Sequence, residues 1–139
     1  MTVLYTAEAT ATGAGRAGHT RTSDGLVDLE LAIPKEMGGP GGATNPEQLF
    51  AAGYAACFHS ALQVVARKQK VDIEGSSVTA EVGIGPNGQG GYGLNVGLVV
   101  ELPGLPNDQA QQIAEAADAV CPYSNAVRGN IDIDVRVAA

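Results

Sequence analysis

Over the first third of the chain, hydrophobic and polar positions alternate. Val3, Tyr5, Ala7 and Ala9 interleave with Leu4, Thr6, Glu8 and Thr10, a period of two that predicts a strand. Gly13-Ala14-Gly15 reads as a turn and residues 16–22 as a second strand. Ser23-Asp24-Gly25 is a hairpin signal, because Asp-Gly favours a type I′ turn. Val27, Leu29, Leu31 and Ile33 then alternate with Asp28 and Glu30. These segments predict a three-stranded antiparallel meander, followed by a flexible GGPGGA loop at 38–43.

From Asn45 the period changes. Asn45 suits an N-cap, Pro46 the first helical position and Gln48 the capping-box partner, with Glu47 at the positive helix end. The helix is expected to run to about Lys70. Its middle (Leu49, Phe50, Ala51, Ala52, Ala55, Ala56, Cys57) is apolar nearly all round, the mark of a buried helix. Alternation then returns at Val78, Ala80, Val82 and Ile84. It resumes after the PNGQGG turn at Leu94, Val96, Leu98 and Val100. Ala110, Ile113, Ala114, Ala117, Val120 and Cys121 have helical spacing, and Pro122 stops that helix. A last strand alternates Ile131, Ile133, Val135 and Val137 with Asp132, Asp134 and Arg136.

The order is βββ-α-ββ-α-β. It predicts an α+β fold in one domain, residues 1–139, with antiparallel sheets around two buried helices. All-round burial of the first helix is hard to arrange in one chain of 139 residues. A second subunit covering it is the natural solution.

Composition narrows the function. With 45% hydrophobic and 17% charged residues the chain is globular. A net charge of −7 and a pI near 4.6 argue against a nucleic-acid surface, which needs a basic patch, and disfavour anionic membranes. MTVLYTAEATATG lacks the pattern of a secretory signal, and no apolar run is seen to approach the ~18 residues of a membrane span. The expected compartment is the cytoplasm, where a cysteine pair is more often catalytic, redox-active or metal-binding than a lasting structural disulfide.

Gly13-Ala14-Gly15-Arg16-Ala17-Gly18 matches the dinucleotide fingerprint, but the fingerprint must open a helix. Here strand-like HTRTSDGLVDLEL follows, so the segment reads as a turn that presents Arg16. Cys57 and His59 form a C-x-H pair without CxxC or HxxxH, and i and i+2 on a helix point apart. There is no nucleophile-elbow pattern, and His19 and His59 read as structural or surface residues. Cys57 in an apolar helix is inert unless a cation lowers its pKa. Arg16 is the candidate cation, with Glu47 as the carboxylate that orients it. Glu47 and Cys57 are ten residues apart, ~15 Å along one helix axis, so one side chain bridging both is stretched. A symmetric dimer, with Arg16 and Glu47 of one subunit meeting Cys57 of the other, relieves this. Cys121 is either the end of an apolar stripe or the partner of Cys57.

GRAGHTRTSDG, GGPGGATNPEQLFAAGYAACFHSAL and VCPYSNAVRGNIDI together resemble the organic hydroperoxide resistance proteins, the Ohr branch of the Ohr/OsmC family. The resemblance spans nearly the whole chain in motif order and spacing. It implies a thiol-dependent peroxidase for organic hydroperoxides, an OsmC-like intertwined homodimer with active sites at the subunit interface, and no metal or flavin cofactor. By motif, Cys57 matches the peroxidatic cysteine, Cys121 the resolving cysteine, Arg16 the arginine of the GR turn and Glu47 the glutamate of TNPEQ. The implied reductant is a dithiol such as a lipoyl group on a protein. Leu49, Phe50, Tyr54, Phe58 and Tyr123 are candidates to line a site for the alkyl tail. The OsmC-type branch, and a non-catalytic apolar binding module with core cysteines, are the alternatives.

Overall fold

The computed structural model describes residues 1–138, which fall into two compact units, the first residues 1–49 and the second from Phe50 onward. In the first unit, β1 (Ala9–Thr12), β2 (His19–Thr22) and β3 (Asp28–Glu30) form an antiparallel sheet in that order. The meander is as expected, but its strands are shorter. The first strand begins at Ala9, not Val3: Ala9 pairs with Thr22, the last residue of β2, and no strand is left for residues 3–8. Val3, Leu4 and Tyr5 are accordingly exposed. The second hairpin also differs from the type I′ expectation. Thr22 N–H donates to Val27 O across a four-residue loop, and Asp24 keeps negative φ, which a type I′ turn does not allow. Asp24 instead accepts from Thr22 Oγ1 and Leu26 N–H, which holds the wider loop.

Helix α1 (Pro46–Gln69) opens as its sequence predicts. Gln48 N–H donates to Asn45 Oδ1 at 2.9 Å and Asn45 N–H to Gln48 Oε1 at 3.2 Å, a reciprocal capping box. It ends with Lys70 in the left-handed region (φ 57) and Val71 N–H bonded to Ala66 O, a Schellman closure.

In the second unit β4 (Ser77–Pro86) and β5 (Tyr92–Glu101) form a long hairpin. Val78, Ala80, Val82 and Ile84 pair with Val100, Leu98, Val96 and Leu94, so both predicted apolar sets share one face. The chain then crosses over through α2 (Asn107–Val120) and α3 (Pro122–Val127) to β6 (Ile133–Val137). A crossover returns the chain in the same direction, so β6 pairs with β5 in parallel and this sheet is mixed, not wholly antiparallel. The core joins Tyr54, Phe58, Leu62, Val65 and Ala66 of α1 to Val96, Leu98 and Val100 of β5 and to Ala110, Ile113, Ala114, Ala117 and Cys121. Burial of each large aliphatic side chain here contributes roughly 1.5–3 kcal/mol.

As expected for a chain of this length, one chain alone does not bury α1 all round. Its buried residues lie on one face, while Ala52, Ala56 and Ser60 stand exposed on the other. By length and a mean hydropathy of 1.4 over 18 residues this helix is also long and apolar enough to cross a membrane. The expectation that no apolar run approaches a membrane span therefore does not hold for average composition, because the many alanines of α1 raise its mean hydropathy.

Candidate active site

Arg16 lies in a 3₁₀ turn, Gly15–Ala17, between β1 and β2. No helix follows the glycines, as expected for a turn and not a nucleotide cradle. Gly18 closes the turn against β1: a Cβ there would lie 2.2 Å from Thr12 O, so only glycine fits. The Arg16 guanidinium forks onto the Glu47 carboxylate, Nη1 to Oε2 at 2.8 Å and Nη2 to Oε1 at 2.6 Å. This bidentate geometry fixes the plane of the guanidinium as well as its position. Glu47 is mostly buried in the first turn of α1, and Arg16 holds its carboxyl below the usual carboxylate range. Burial opposes that shift and the Glu47 backbone N–H assists it.

In the second unit, two cysteines 64 positions apart meet. Cys121 Sγ lies 3.6 Å from Cys57 Sγ, and both are free thiols. Cys57 is half-buried in mid-α1. Cys121 is fully buried at the junction of α2 and α3, in extended conformation (φ −68, ψ 121) as Pro122 after it demands. Burial pushes the Cys57 thiol up. A hydrogen bond from the Tyr123 backbone N–H pulls it down, and Cys121 beside it pushes it up again. The four residues singled out in the sequence therefore stand as two pairs, Arg16–Glu47 in one unit and Cys57–Cys121 in the other.

Around the cysteines the rings of Phe50, Tyr54 and Tyr123 cluster, with centroids 5.6 Å apart for Tyr54–Tyr123 and 6.2 Å for the two Phe50 pairs. The expected alkyl-lining set needs correction here. Phe58 and Tyr54 are fully buried in the core, and the Tyr54 hydroxyl is 2.6 Å from Ser124 Oγ, itself fully buried. Phe50 and Tyr123 are the partly accessible rings. Sequence reasoning missed Gly53, whose missing side chain gives Tyr123 its place. It also missed Ser124, Asp118 and Arg128, described below. The one available signal was that Gly53 and Ser124 fall inside the two motifs that hold the cysteines.

His19 and His59 lie apart from both pairs. His19 sits between Glu30 (Nδ1–Oε1, 2.7 Å) and Asp28 (Nε2–Oδ1, 2.5 Å), which raise its pKa, Glu30 foremost. His59 Nε2 accepts from Gln63 and contacts Ser76 Oγ beside a cavity of about 520 Å³ that also includes Arg67, Asp72 and Glu74. Among the described residues, no three His, Cys, Asp or Glu side chains converge as a metal site requires.

Two paired thiols on an α+β scaffold of this topology define a class, and comparison with known proteins agrees. The family model for OsmC-like proteins matches residues 39–136. The organic hydroperoxide resistance protein of Xanthomonas axonopodis pv. citri is 51% identical over 98% of this chain and 96% of its own length. Crystal structures of organic hydroperoxide resistance proteins from Legionella pneumophila (51% identity, TM-score 0.94, 99% of this chain and 100% of that one) and Elizabethkingia anophelis (48%, 0.94, 99% and 99%) superimpose closely. The chain belongs to the OsmC-like family and, within it, to the organic hydroperoxide resistance branch.

Proposed function

We propose that this protein detoxifies organic hydroperoxides, as the names of its relatives suggest, and does so as a cysteine-based peroxidase. The observation that carries the reading is the 3.6 Å approach of two free thiols in a partly apolar, aromatic setting. The Cys57 thiolate attacks the distal peroxide oxygen and the O–O bond breaks. The alkoxide takes a proton and leaves as alcohol, and Cys57 becomes sulfenic acid. Cys121 then attacks the Cys57 sulfur, its thiol proton and the sulfenic hydroxyl leave as water, and a disulfide forms. A dithiol, a lipoyl group in the simplest case, re-reduces it by exchange in the cytoplasm.

Burial disfavours the Cys57 thiolate, so the reaction needs a cation, and Arg16 held by Glu47 is suited to supply it. We assign that supply to an intertwined homodimer with its sites at the subunit interface. The exposed Ala52–Ala56–Ser60 face of α1 and the exposed Val3, Leu4, Tyr5 and Leu26 are surfaces a second copy would cover.

The test is consumption of tert-butyl hydroperoxide and hydrogen peroxide with a dithiol. Wild type should turn over and prefer the organic peroxide, and Cys57→Ser should be inactive. Cys121→Ser should form sulfenic acid and over-oxidise. Turnover retained by Cys57→Ser, or none in wild type, refutes the peroxidase reading. A fully active monomer refutes the shared site.

A further inference from the structure

Disulfide closure has a geometric requirement. The sulfurs stand 3.6 Å apart and a disulfide bond is about 2.05 Å long, so the two sulfurs must close by about 1.5 Å, which side-chain rotation achieves only while the two backbones keep this spacing. Cys121 ends α2 and precedes α3, so its position follows the angle between those two helices. On the inner side, α3 is held to α1 by the Ser124–Tyr54 hydrogen bond. On the outer side Arg128, the C-cap of α3, links it to α2. Its Nη2 donates to the Asp118 backbone carbonyl at 2.8 Å and to Asp118 Oδ2 at 3.2 Å, and its Nη1 donates to Asn125 Oδ1. The guanidinium thus caps a carbonyl in the last turn of α2, where a cation is favoured, and returns to α3 through Asn125. Asp118 Oδ1, by contrast, is buried with no partner among the described residues. Without Arg128 both oxygens of that carboxylate would lack one, and the junction would open toward water.

We propose that Arg128 is a positioning residue for disulfide closure: by tying the end of α3 to the last turn of α2, it holds Cys121 at the angle from which its sulfur reaches Cys57. The inference rests on the peroxidase reading. Arg128 is half exposed and touches neither sulfur, so its removal leaves the first chemical step alone. Closure and over-oxidation compete for one species, the Cys57 sulfenic acid. Slower closure therefore appears as more sulfinic acid, which a second peroxide molecule makes by giving up an oxygen and leaving as alcohol.

The experiment treats reduced wild type, Arg128→Ala and Arg128→Lys with excess tert-butyl hydroperoxide. Samples are quenched by thiol alkylation over time, and sulfenic acid, disulfide and sulfinic acid are counted by intact mass. Arg128→Ala should lose its Cys57 thiol at the wild-type rate, form disulfide about tenfold to a hundredfold more slowly, and gain sulfinic acid in proportion. Arg128→Lys, which keeps the charge but not the fork, should fall between. A structural role alone would lower the melting temperature without moving this partition. Unchanged closure and sulfinic yield in Arg128→Ala overturn the inference. Should that variant not fold, unchanged closure in Arg128→Lys overturns it equally. A wild type that forms no disulfide with peroxide overturns the peroxidase reading and this inference with it.

Discussion

Replacing Gly53 with alanine sets two effects of similar size against each other. Gly53 lies within α1, one turn before Cys57. A Cβ built there would stand 2.8 Å from Tyr123 Oη and 3.3 Å from two ring carbons. About 0.6 Å must open before the oxygen reaches ordinary contact. The ring is bounded by Tyr54 at 5.6 Å and Phe50 at 6.2 Å, so its way out is toward solvent, where it is already 40% exposed. Alanine favours the helix over glycine by about 1 kcal/mol. Two loosened aromatic pairs cost about 0.5–1.5 kcal/mol each. The net is a destabilisation of about 0–2 kcal/mol, a fall of up to about 8 °C in melting temperature for a chain of this size.

The functional effect has a definite sign. Tyr123 donates its backbone N–H to Cys57, which lowers the thiol pKa against burial and Cys121. If the ring carries its backbone outward, that bond weakens and burial and Cys121 prevail, so the thiol pKa rises. The pH profile of peroxide consumption should move to higher pH, and activity near neutrality should fall. The assay is tert-butyl hydroperoxide turnover with a dithiol from about pH 6 to 10, with calorimetry on the same samples. A Gly53→Ala protein with an unmoved profile would show that Tyr123 does not tune Cys57. A melting temperature raised by the full helix-propensity gain would show that the ring meets no resistance.

Three other contacts carry testable outcomes. Tyr54→Phe and Ser124→Ala each strand a buried hydroxyl and should cost about 1–3 kcal/mol in urea unfolding, while the double variant should cost less than their sum; strict additivity would deny the bond. Glu47 has a depressed folded pKa, so its stabilisation is complete above its ordinary 4.5 and drains away as pH falls through the folded value. Arg16→Ala should flatten that acid limb by about 1 kcal/mol or less after solvent screening; an unchanged limb refutes the pairing. His19 has a raised folded pKa, so its hold on Glu30 and Asp28 is full below its ordinary 6.5 and fades as pH rises through the folded value. Amide protection factors at Thr20 and Leu29 should fall over that rise, and His19→Gln should show no such fall.

What was legible in the sequence was local. The capping box of Asn45 and Gln48 spans four residues, and the matched apolar faces of β4 and β5 follow from alternation on either side of one turn. The features that escaped depend on where the chain returns. The direction of β6 is set by the crossover through α2 and α3, which alternation alone does not reveal. Which side of α1 packs on the core also depends on the returning chain, because its composition is apolar on both faces. The cysteine motifs were visible because each is contiguous, but the partners that hold them are not. Tyr54 and Ser124 are 70 positions apart, and Arg128 reaches back ten to Asp118. Arg128 also shows why charge alone misleads. In the sequence it is one more cation in a polar loop, the ordinary state of an arginine. Its distinction arises because Pro122 breaks α2 at Cys121 and starts α3, which brings a guanidinium back over the carbonyls of the helix that carries the cysteine.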